Sequence, residues 1–561
     1  MVAFLFYLTY LKNTSMWKKH PKALPFLFFS EMWERFGYYL MIGIFTFYLK
    51  DATTGFNMDE KDSASLYGTF IALVFFTPFL GGLIADRYLG YRRSIILGGL
   101  LMGAGYCMMG IHNIQMLYVA MTLVIIGNGF FKPNISTLLG NVYSVPDHKH
   151  QKDEGYNIFY MGINIGAFIC NFFGAALYTT IGWPAAFAAA GVGMFIGVIV
   201  FISGTKHYAQ YDTRKPLQPG DMPLWKIMAL VILPCVVFGI IGWFIKGDGY
   251  IFDSNSTDAF IFACIPVLLF YTALVFKSNK DERPAMGAML AIFLVVILFW
   301  AIFKQNGSAL NTWASRYTER HVSGTGETVL SALKQTQTIE YKKDSVTKLD
   351  NQFRKVKVNG QEVKEYNYPS YFFNMDFAKD PVTEPGKIKA WVPSLSQSIN
   401  PFWVIALTPL VVAFFTWLRR KGREPSTPTK IAFGLLVSAL SVLVMVAAVK
   451  ISNNGIEKVS VWWLIASYGI ITIGELFLSP MGLSLVSKLS PVRITSLMMG
   501  GWFLSTSIGN KLSGILASKW DEYDNKANYF WLNFILLFAA AVLLFAMLKW
   551  LNKVMKEKGV N

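Results

Sequence analysis

The sequence predicts an all-α polytopic membrane protein, and three observations support this fold class. The chain of 561 residues is 54% hydrophobic and 16% aromatic, and its mean hydropathy is +0.41. Only 15% of its residues are charged, whereas a soluble protein of this size carries about 25%. Apolar runs of about 18 to 25 residues, long enough to cross a bilayer as helices, recur along the whole chain.

The apolar runs predict transmembrane helices in groups of six, two and six. The first six form an N-terminal bundle, 1–203, and a linker with two additional helices follows over 204–284. The last six form a C-terminal bundle, 285–561. The predicted spans are 24–49, 63–84, 94–112, 116–139, 155–180, 183–203, 224–246, 257–277, 285–313, 398–418, 430–450, 460–487, 493–518 and 528–551.

A polar insert, 316–397, interrupts the C-terminal bundle. Within it, the stretch KVKVNG at 355–360 alternates apolar and polar residues before Asn-Gly, which is typical of a β-hairpin with a tight turn. A compact β-rich domain and a disordered loop are the two alternatives.

Loop charge predicts the orientation in the membrane. Lysine and arginine concentrate in the loops of one parity, including the segments before the first span and after the last. Because cytoplasmic loops carry an excess of these residues, both termini are predicted to be cytoplasmic and the insert extracytoplasmic. The predicted location is the cell (inner) membrane.

Composition argues against several other classes of protein. The net charge is +17, but the lysines and arginines lie between apolar runs and not on one patch. This distribution argues against nucleic acid as a partner. Cys107, Cys170, Cys235 and Cys264 all lie in apolar runs without CxxC spacing, so a disulfide framework or a zinc site is not expected. No HExxH, Walker or Ser-His-Asp pattern is present, so we expect no enzyme, no ATP drive, no metal and no cofactor.

The stretch EMWERFGYYL, 31–40, places charges inside the first predicted span. Charged groups are costly in lipid, so they should face a partner, a cavity or a substrate. A neutralised salt-bridge stripe between helices is the alternative. The residues at i, i+3, i+4 and i+7, with a fifth at the margin of the same face, are Glu31, Glu34, Arg35, Tyr38 and Tyr39.

Lys132, in GNGFFKPN at 127–134 of the fourth span, is the candidate counter-charge. A buried Lys–Glu pair is costly to leave half-made, so protonation of Glu34 should loosen its pairing with Lys132. A pair that loosens on protonation has the basic property of a proton switch.

Polar residues at similar depth in other spans extend the candidate site, although a single Asn or Ser is more often a helix–helix contact. Arg35 and Lys132 lie in the N-terminal half and Glu475 in the C-terminal half, a division of charge that suits a zwitterion. Large aromatic walls tolerate varied side chains, so the residues alone predict a zwitterion carrier. The further candidates are Asn164, Trp300, Lys304, Ser308, Asn400, Glu475, Ser479, Trp502, Ser505 and Asn510.

The stretch GGLIADRYLGYRR, 81–93, resembles the loop signature of the major facilitator superfamily. Its glycines, Gly82 among them, allow close helix contact, while Asp86 and Arg87 can tie together the ends of neighbouring helices. The resemblance implies a major facilitator fold of two six-helix halves, in which these residues serve gating or structure.

Five stretches together resemble the proton-coupled oligopeptide transporter (POT) family: E-x-x-E-R-F-x-Y-Y at 31–39, GGLIADRYLG, GNGFFKPN, FYMGINIG and GELFLSPMG. The resemblance covers all twelve core spans and accounts for the two additional helices. It implies uptake of di- and tripeptides by alternating access, driven by the proton gradient.

Carried over residue by residue, the resemblance assigns roles to the candidate positions. Arg35 and Lys132 would bind the peptide carboxylate and Glu475 its amine. The remaining implied roles are backbone binding by Asn164 and Asn400, proton coupling by Glu31 and Glu34, and side-chain pockets at Trp300 and Trp502.

Two positions depart from the family pattern. Lys304 stands where many members have an acid, and Phe75 where many have a tyrosine. We expect Lys304 to be an altered gate that pairs with Glu31, Glu34 or the peptide carboxylate. The insert, which holds no cavity residue, should be dispensable for basal transport. Alternatives are a carrier of another small zwitterionic or anionic solute, an exchanger without strict proton coupling, and a receptor or membrane enzyme.

Overall fold

The protein is described here by a computed structural model covering residues 20–148, 152–213, 223–247, 251–252, 254–351, 353–359, 361–375, 386–491 and 495–558. Each of the fourteen predicted spans coincides with a helical segment, most within three residues at either end. Among the described residues, eleven helices are long and apolar enough to cross a membrane. The all-α polytopic prediction is therefore confirmed.

The helices are α1 (Leu24–Lys50), α2 (Glu60–Ile84), α3 (Tyr91–Met109), α4 (Ile114–Val142), α5 (Lys152–Thr180), α6 (Trp183–Ser203), α7 (Leu224–Phe244), α8 (Asn255–Lys277), α9 (Arg283–Phe303), α10 (Ala309–Arg316), α11 (Gly324–Ala332), α12 (Ile399–Arg420), α13 (Thr427–Ile451), α14 (Trp462–Leu489), α15 (Thr495–Ser518) and α16 (Lys526–Glu557). The seventh core span is α9, a 3₁₀ turn at Lys304–Gly307, and α10.

Polar side chains fix the starts of several helices. Asn113 accepts a hydrogen bond from the Met116 amide at 3.1 Å and so begins α4. Ser254 does the same for α8, accepting from the Thr257 amide at 3.3 Å. Because the first amides of a helix have no partner within it, such caps set where a helix can begin.

The described chain forms two compact units. The first comprises the residues up to Ile42 and Leu73–Leu224, and the second comprises Gly43–Ala72 and the residues from Trp225 onward. Helices α1 and α2 therefore each belong partly to both units, with their loop-joined ends in the second. This division differs from the predicted bundles 1–203 and 285–561, whose boundaries stay a prediction.

The insert is compact and β-rich in its described residues. Its strands are β1 (Thr336–Tyr341), β2 (Asp344–Thr347), β3 (Lys357–Val358), β4 (Gln361–Glu362), β5 (Lys364–Asn367) and β6 (Gly386–Trp391), and they pair antiparallel as β1–β6, β2–β5 and β3–β4. A small apolar core forms around Tyr371, Phe372 and Ile388.

The predicted hairpin at 355–360 is confirmed. Lys357 pairs with Glu362 and Val358 with Gln361. Asn359 follows β3 with φ of 52°, a left-handed conformation that asparagine tolerates well.

Candidate functional site

A buried ionic cluster lies on α1 in the first unit. The Nε of Arg35 is 2.9 Å from Oε1 of Glu31 and 2.5 Å from Oε2 of Glu34. Glu34 is 0% exposed, and Glu31 and Arg35 are each 3% exposed. Two carboxylates share one guanidinium, so the cluster carries a net charge of −1 when all three groups are ionised. Burying a net negative charge costs free energy, so the cluster favours the binding of a proton or a cation.

Part of this cluster lacks hydrogen bonds. Among the described residues, Oε2 of Glu31, Oε1 of Glu34 and Nη2 of Arg35 are buried without a hydrogen-bond partner. Buried polar groups are almost always satisfied in native proteins. The free acceptors and the free donor can therefore take a proton, a water molecule or a ligand group.

Aromatic side chains surround the cluster. The ring centroid of Tyr38 is 5.4 Å from Cζ of Arg35, and the rings of Tyr38 and Tyr39 meet edge to face at 5.4 Å. The buried hydroxyl of Tyr106 on α3 lies within electrostatic range of Glu34. Tyr106 was missed at the sequence level, because a lone tyrosine in an apolar span resembles a packing residue.

Lys132 on α4 is placed near the cluster, as predicted. Its ammonium lies within electrostatic range of Glu34 and 3.8 Å from the ring centroid of Phe75. The face of Phe75 thus meets the ammonium as a cation–π contact. The role of Lys132 in proton coupling or substrate binding stays a prediction.

Close packing of α2 against α4 fixes the position of Lys132. A Cβ on Gly81 would lie 2.0 Å from the carbonyl oxygen of Gly129, so no side chain fits at this crossing. A Cβ on Gly82 would lie 3.5 Å from Cβ of Pro133, an ordinary contact. Gly81, more than Gly82, is therefore the residue that the helix crossing requires.

In the loop between α2 and α3, Asp86 contacts the first residue of α3, and the predicted helix tie by Asp86 and Arg87 stays a prediction. Asp86 accepts a hydrogen bond from the Tyr91 hydroxyl at 2.5 Å. The backbone amide of Tyr91 donates to Oδ1 of Asp212 at 2.7 Å, so Asp212 in the linker after α6 holds the start of α3. Asp212 was not foreseen. The side chain of Arg87 lies outside the described residues.

Asn164 on α5 makes a local contact. Its Nδ2 donates to the carbonyl oxygen of Tyr160 at 2.9 Å, one turn earlier in the same helix. A role in binding a peptide backbone stays a prediction.

In the second unit, Glu475 on α14 is held by Asn400 on α12. Nδ2 of Asn400 donates to Oε2 of Glu475 at 3.1 Å and to Oγ1 of Thr472 at 2.9 Å. The structure therefore brings together two residues that were predicted separately, and the amide orients the carboxylate.

Lys304 lies close enough to Glu475 in the second unit for the two charges to interact. Its Nζ is 5.6 Å from the ring centroids of both Trp300 and Phe303. The predicted pairing of Lys304 with Glu31 or Glu34 stays a prediction, whereas its interaction with Glu475 was not foreseen.

The two predicted tryptophans sit among aromatic neighbours. Trp300 contacts Phe299 edge to face at 5.1 Å. Trp502 is 3% exposed and meets the ring of Phe293 at 6.0 Å. A Cβ on Gly482 would lie 1.9 Å from the Trp502 ring, so the indole occupies the space that this glycine leaves.

Several buried polar atoms of the second unit have no hydrogen-bond partner among the described residues. Most belong to residues singled out from the sequence, and Tyr468 is an addition. Such atoms are the groups that a bound polar solute or ordered water would satisfy. They are Nε1 of Trp300, Oγ of Ser308, the hydroxyl of Tyr468, Oγ of Ser479, and both side-chain polar atoms of Asn510.

A second ionic network, in the second unit, was missed at the sequence level. Oε2 of Glu60 lies 3.2 Å from Nζ of Lys50 and 3.4 Å from Nη2 of Arg316, and Oε1 accepts from Thr312 at 2.7 Å. Nη1 of Arg316 lies 3.9 Å from Oδ1 of Asp521. Charges at the ends of predicted spans read as ordinary loop residues, so the sequence carried no signal for this network.

Within the described residues, no group of three His, Cys, Asp or Glu side chains could hold a metal ion.

Comparison with known proteins gives the family. The model of the POT family matches residues 92–336 and 390–532, more than half of the chain. The chain belongs to the POT family. This family consists of membrane transporters, not enzymes, so this POT protein is a multi-pass membrane transporter.

Individual relatives agree with this assignment. The di-/tripeptide transporter of Lactococcus lactis subsp. cremoris is 28% identical over 506 residues, covering 88% of each chain. Dipeptide and tripeptide permease A of Escherichia coli (strain K12) is 28% identical over 510 residues, covering 90% of this chain and 86% of that one. A crystal structure of a mutant of the peptide transporter POT in complex with alafosfalin superposes with a TM-score of 0.72 at 28% identity, covering 96% of both chains.

Proposed function

We propose that this POT protein is a proton-coupled symporter that takes up di- and tripeptides by alternating access. One observation carries the proposal: each unit holds a charged site within its long apolar helices, and the site in the first unit is buried and lacks part of its hydrogen bonding. The first site holds Arg35 with its carboxylates and Lys132, and the second holds Glu475 with Asn400.

The chemistry of each site suits one end of a peptide. Arg35 and Lys132 supply the cations that bind the peptide carboxylate, and Glu475 supplies the anion that binds the ammonium. Arg35 is shared with Glu31 and Glu34, so an arriving carboxylate competes with these residues for the guanidinium. Protonation of Glu34 removes one competitor, which links proton binding to peptide binding.

The topology follows from loop charge. We place both termini in the cytoplasm and the protein in the cell (inner) membrane. The insert is then extracytoplasmic, and the ends of the helices beside it are called the outer ends below.

Uptake of labelled dialanine into proteoliposomes tests the proposal. An inward proton gradient should drive accumulation above the external concentration, and collapsing the gradient with a protonophore should abolish that accumulation. Uptake that ignores the gradient would favour an exchanger, and the absence of dialanine uptake would exclude the peptide function. Liposomes without protein are the control.

One observation favours a second candidate, a carrier of another small zwitterionic or anionic solute. Lys304 lies within electrostatic range of Glu475 and offsets the negative charge that would hold an amine. Ligand-dependent thermal stabilisation separates the two, because a ligand that binds only the folded state raises the melting temperature. A panel of dipeptides should raise it under the peptide proposal, whereas nitrate and single amino acids should not.

A further inference from the structure

The insert contacts the loop that joins α1 to α2. Nζ of Lys355 donates to Oδ1 of Asn57 at 2.7 Å and to its carbonyl oxygen at 3.2 Å. Nδ2 of Asn57 donates to Oε1 of Glu362 at 3.4 Å. Nζ of Lys357 lies 3.6 Å from Oδ2 of Asp59.

These contacts come from one element, the β3–β4 hairpin with Lys355 two residues before it. Lys357 and Glu362 face each other across the β3–β4 hairpin, and Lys355 pairs with Glu362 at 3.0 Å. Asn57 has φ of 52°, a left-handed conformation that presents both its carbonyl oxygen and its side chain to the hairpin. The hairpin therefore holds the α1–α2 loop through several groups at once.

The insert is also fixed to the rest of the second unit. Arg354 lies 2.6 Å from Oδ2 of Asp350 and 3.3 Å from Oδ1 of Asp524, and its Nη1 donates to the carbonyl oxygen of Asp521 at 3.1 Å. Nδ2 of Asn374 donates to the carbonyl oxygen of Gly455 at 3.0 Å. The insert that carries the hairpin therefore contacts the loops between α13 and α14 and between α15 and α16.

The outer ends of α1 and α2 pack closely in the same unit. A Cβ on Gly68 of α2 would lie 2.6 Å from Cα of Gly514 on α15. Oγ1 of Thr46 on α1 donates to the carbonyl oxygen of Gly307 at 3.1 Å. Helices α1 and α2 continue into the first unit, but their outer ends belong to the second unit. The contacts of Gly68 and Thr46 are therefore contacts that hold these outer ends in the second unit.

We propose that the insert is an outer clasp that holds the α1–α2 loop on the second unit and stabilises the state in which the outer ends are packed together. Alternating access, part of the proposed function on which this inference rests, requires these ends to separate when the transporter opens outward. The clasp contacts join Asn57 and Asp59 to Lys355, Lys357 and Glu362, so opening must break them.

A labelling experiment tests the clasp without any substrate. Ala64 on α2 is 1% exposed, so a cysteine there reacts with a membrane-impermeant maleimide only when the outer ends separate. Alanine replaces the four native cysteines. Against this background, Lys355→Gln with Lys357→Gln should speed labelling about threefold to tenfold, because exposed ion pairs are individually weak but act together here.

The matched control removes the same charge from the same insert. Lys342→Gln with Lys387→Gln neutralises two exposed lysines, one directly after β1 and one on β6, where Lys387 pairs with Glu340, and should leave the labelling rate unchanged. Equal rates in all three proteins would overturn the clasp, and so would equal acceleration by both double variants.

Chemical cross-linking gives the complementary test. The contact between Asn57 and Glu362 joins the tips of two side chains at 3.4 Å, so a short bis-maleimide suits the pair better than a direct disulfide. Cross-linking an Asn57→Cys and Glu362→Cys pair in the same background should stop dialanine uptake, whereas the variant without the cross-linker should take up dialanine. Thr347→Cys with Lys364→Cys, which face each other inside the insert, is the control whose cross-linking should not affect uptake. Full uptake with the cross-link in place overturns the clasp. Lack of uptake in the variant without the cross-linker instead overturns the peptide function, which the labelling assay does not need.

Discussion

Buried charges are the residues on which the proposed transport depends most directly. Glu34 and Arg35 lie adjacent on α1 with almost no exposure. Each such group must stay paired, because an unpaired charge in a low-dielectric interior is strongly unfavourable. A proton or a peptide terminus can therefore change the pairing, and substitutions that remove one charge should separate binding from coupling.

Glu475→Gln should preserve folding yet sharply weaken the binding of peptides with a free amine. A neutral amide cannot pair with an ammonium, and a hydrogen bond to a charged group contributes about 1.5–3 kcal/mol. Competition binding with dialanine and N-acetyl-dialanine measures the effect. If the variant loses affinity equally for both ligands, Glu475 does not bind the amine.

Glu34→Gln should decouple transport from the proton gradient and leave peptide counterflow largely intact. Only a group that can gain and lose a proton can link proton binding to the pairing of Arg35 and Lys132. Accumulation and counterflow, measured in the same proteoliposomes, test this. Accumulation at the wild-type level would exclude Glu34 as the coupling residue.

Lys304→Gln should raise the affinity for dialanine about twofold to fivefold, because it removes a like charge that competes with the peptide ammonium for Glu475. The ratio of internal to external dialanine should fall, because a neutral residue at position 304 cannot form the ion pair on which the predicted gate depends. Lys304→Arg, which keeps the charge, is the matched control and should resemble the wild type. Identical affinities in all three proteins would show that Lys304 does not act at this site.

At the scale of elements, helix ends and short loops hold ion pairs with a structural role. Glu424, between α12 and α13, lies 2.6 Å from Nε of Arg419 and 2.6 Å from Nζ of Lys430. Lys430 is 7% exposed, and its Nζ is 4.6 Å from the ring centroid of Phe415. This arrangement ties the start of α13 to the end of α12.

The pH dependence of stability follows from this loop. The hydrogen bond from Arg419, together with Lys430, lowers the pKa of Glu424 from 4.5 to about 2. A lowered pKa in the folded state stabilises the protein above the unfolded pKa, and the stabilisation is lost as pH falls from about 4.5 to about 2. Glu424→Gln should therefore reduce stability by about 1 kcal/mol at pH 7 and by less at pH 4.

Thermal unfolding in detergent at both pH values measures this difference. Glu522→Gln is the matched control, since Glu522 pairs with Lys519 at 3.1 Å while its side chain is 57% exposed. A melting temperature for Glu424→Gln that equals the wild type at pH 7 would show that the loop pairing adds nothing to stability.

At the scale of the whole molecule, the insert joins segments that are far apart in the chain. The whole insert, 316–397, is predicted to be dispensable for basal transport. The structure indicates a shorter dispensable region, because both ends of the insert make hydrogen bonds that hold them in place. Nη1 of Arg320 donates to the carbonyl oxygen of Trp391 at 2.8 Å. Nε2 of Gln397 donates to the carbonyl oxygen of Asn306 and to Oδ1 of Asn311. The first bond joins the two ends of the insert to each other, and the bonds of Gln397 fix one end to α10 and the turn before it, so both ends are kept in the variant below.

Replacement of 322–390 by a Gly/Ser linker should retain dialanine uptake, because the region contributes no residue to either charged site. The outer ends should open more readily, which the Ala64→Cys labelling rate reports. Uptake in proteoliposomes, normalised to correctly inserted protein, is the measurement. A stable, inserted variant without uptake would contradict the prediction.

The sequence by itself determined the fourteen helices, the shared face of Glu31, Glu34 and Arg35, the hairpin of the insert and the family. Each of these depends on local information: the length of an apolar run, a spacing of three or four residues, or a short motif. Helical periodicity alone places Arg35 one turn after Glu31 on the same face, and the structure puts their side chains 2.9 Å apart.

Only the tertiary structure decided which distant groups meet. Glu60 contacts Arg316, Asp212 holds the start of α3, Lys304 acts on Glu475, and Lys355 binds Asn57. These partners are separated by about 120 to 300 residues, and nothing in the neighbourhood of a charged residue specifies its distant partner. Each pairing depends instead on tertiary packing, because only packing brings groups from distant segments together. Where a charged group is buried, as Glu60 is beside Arg316, it cannot remain unpaired without a large cost.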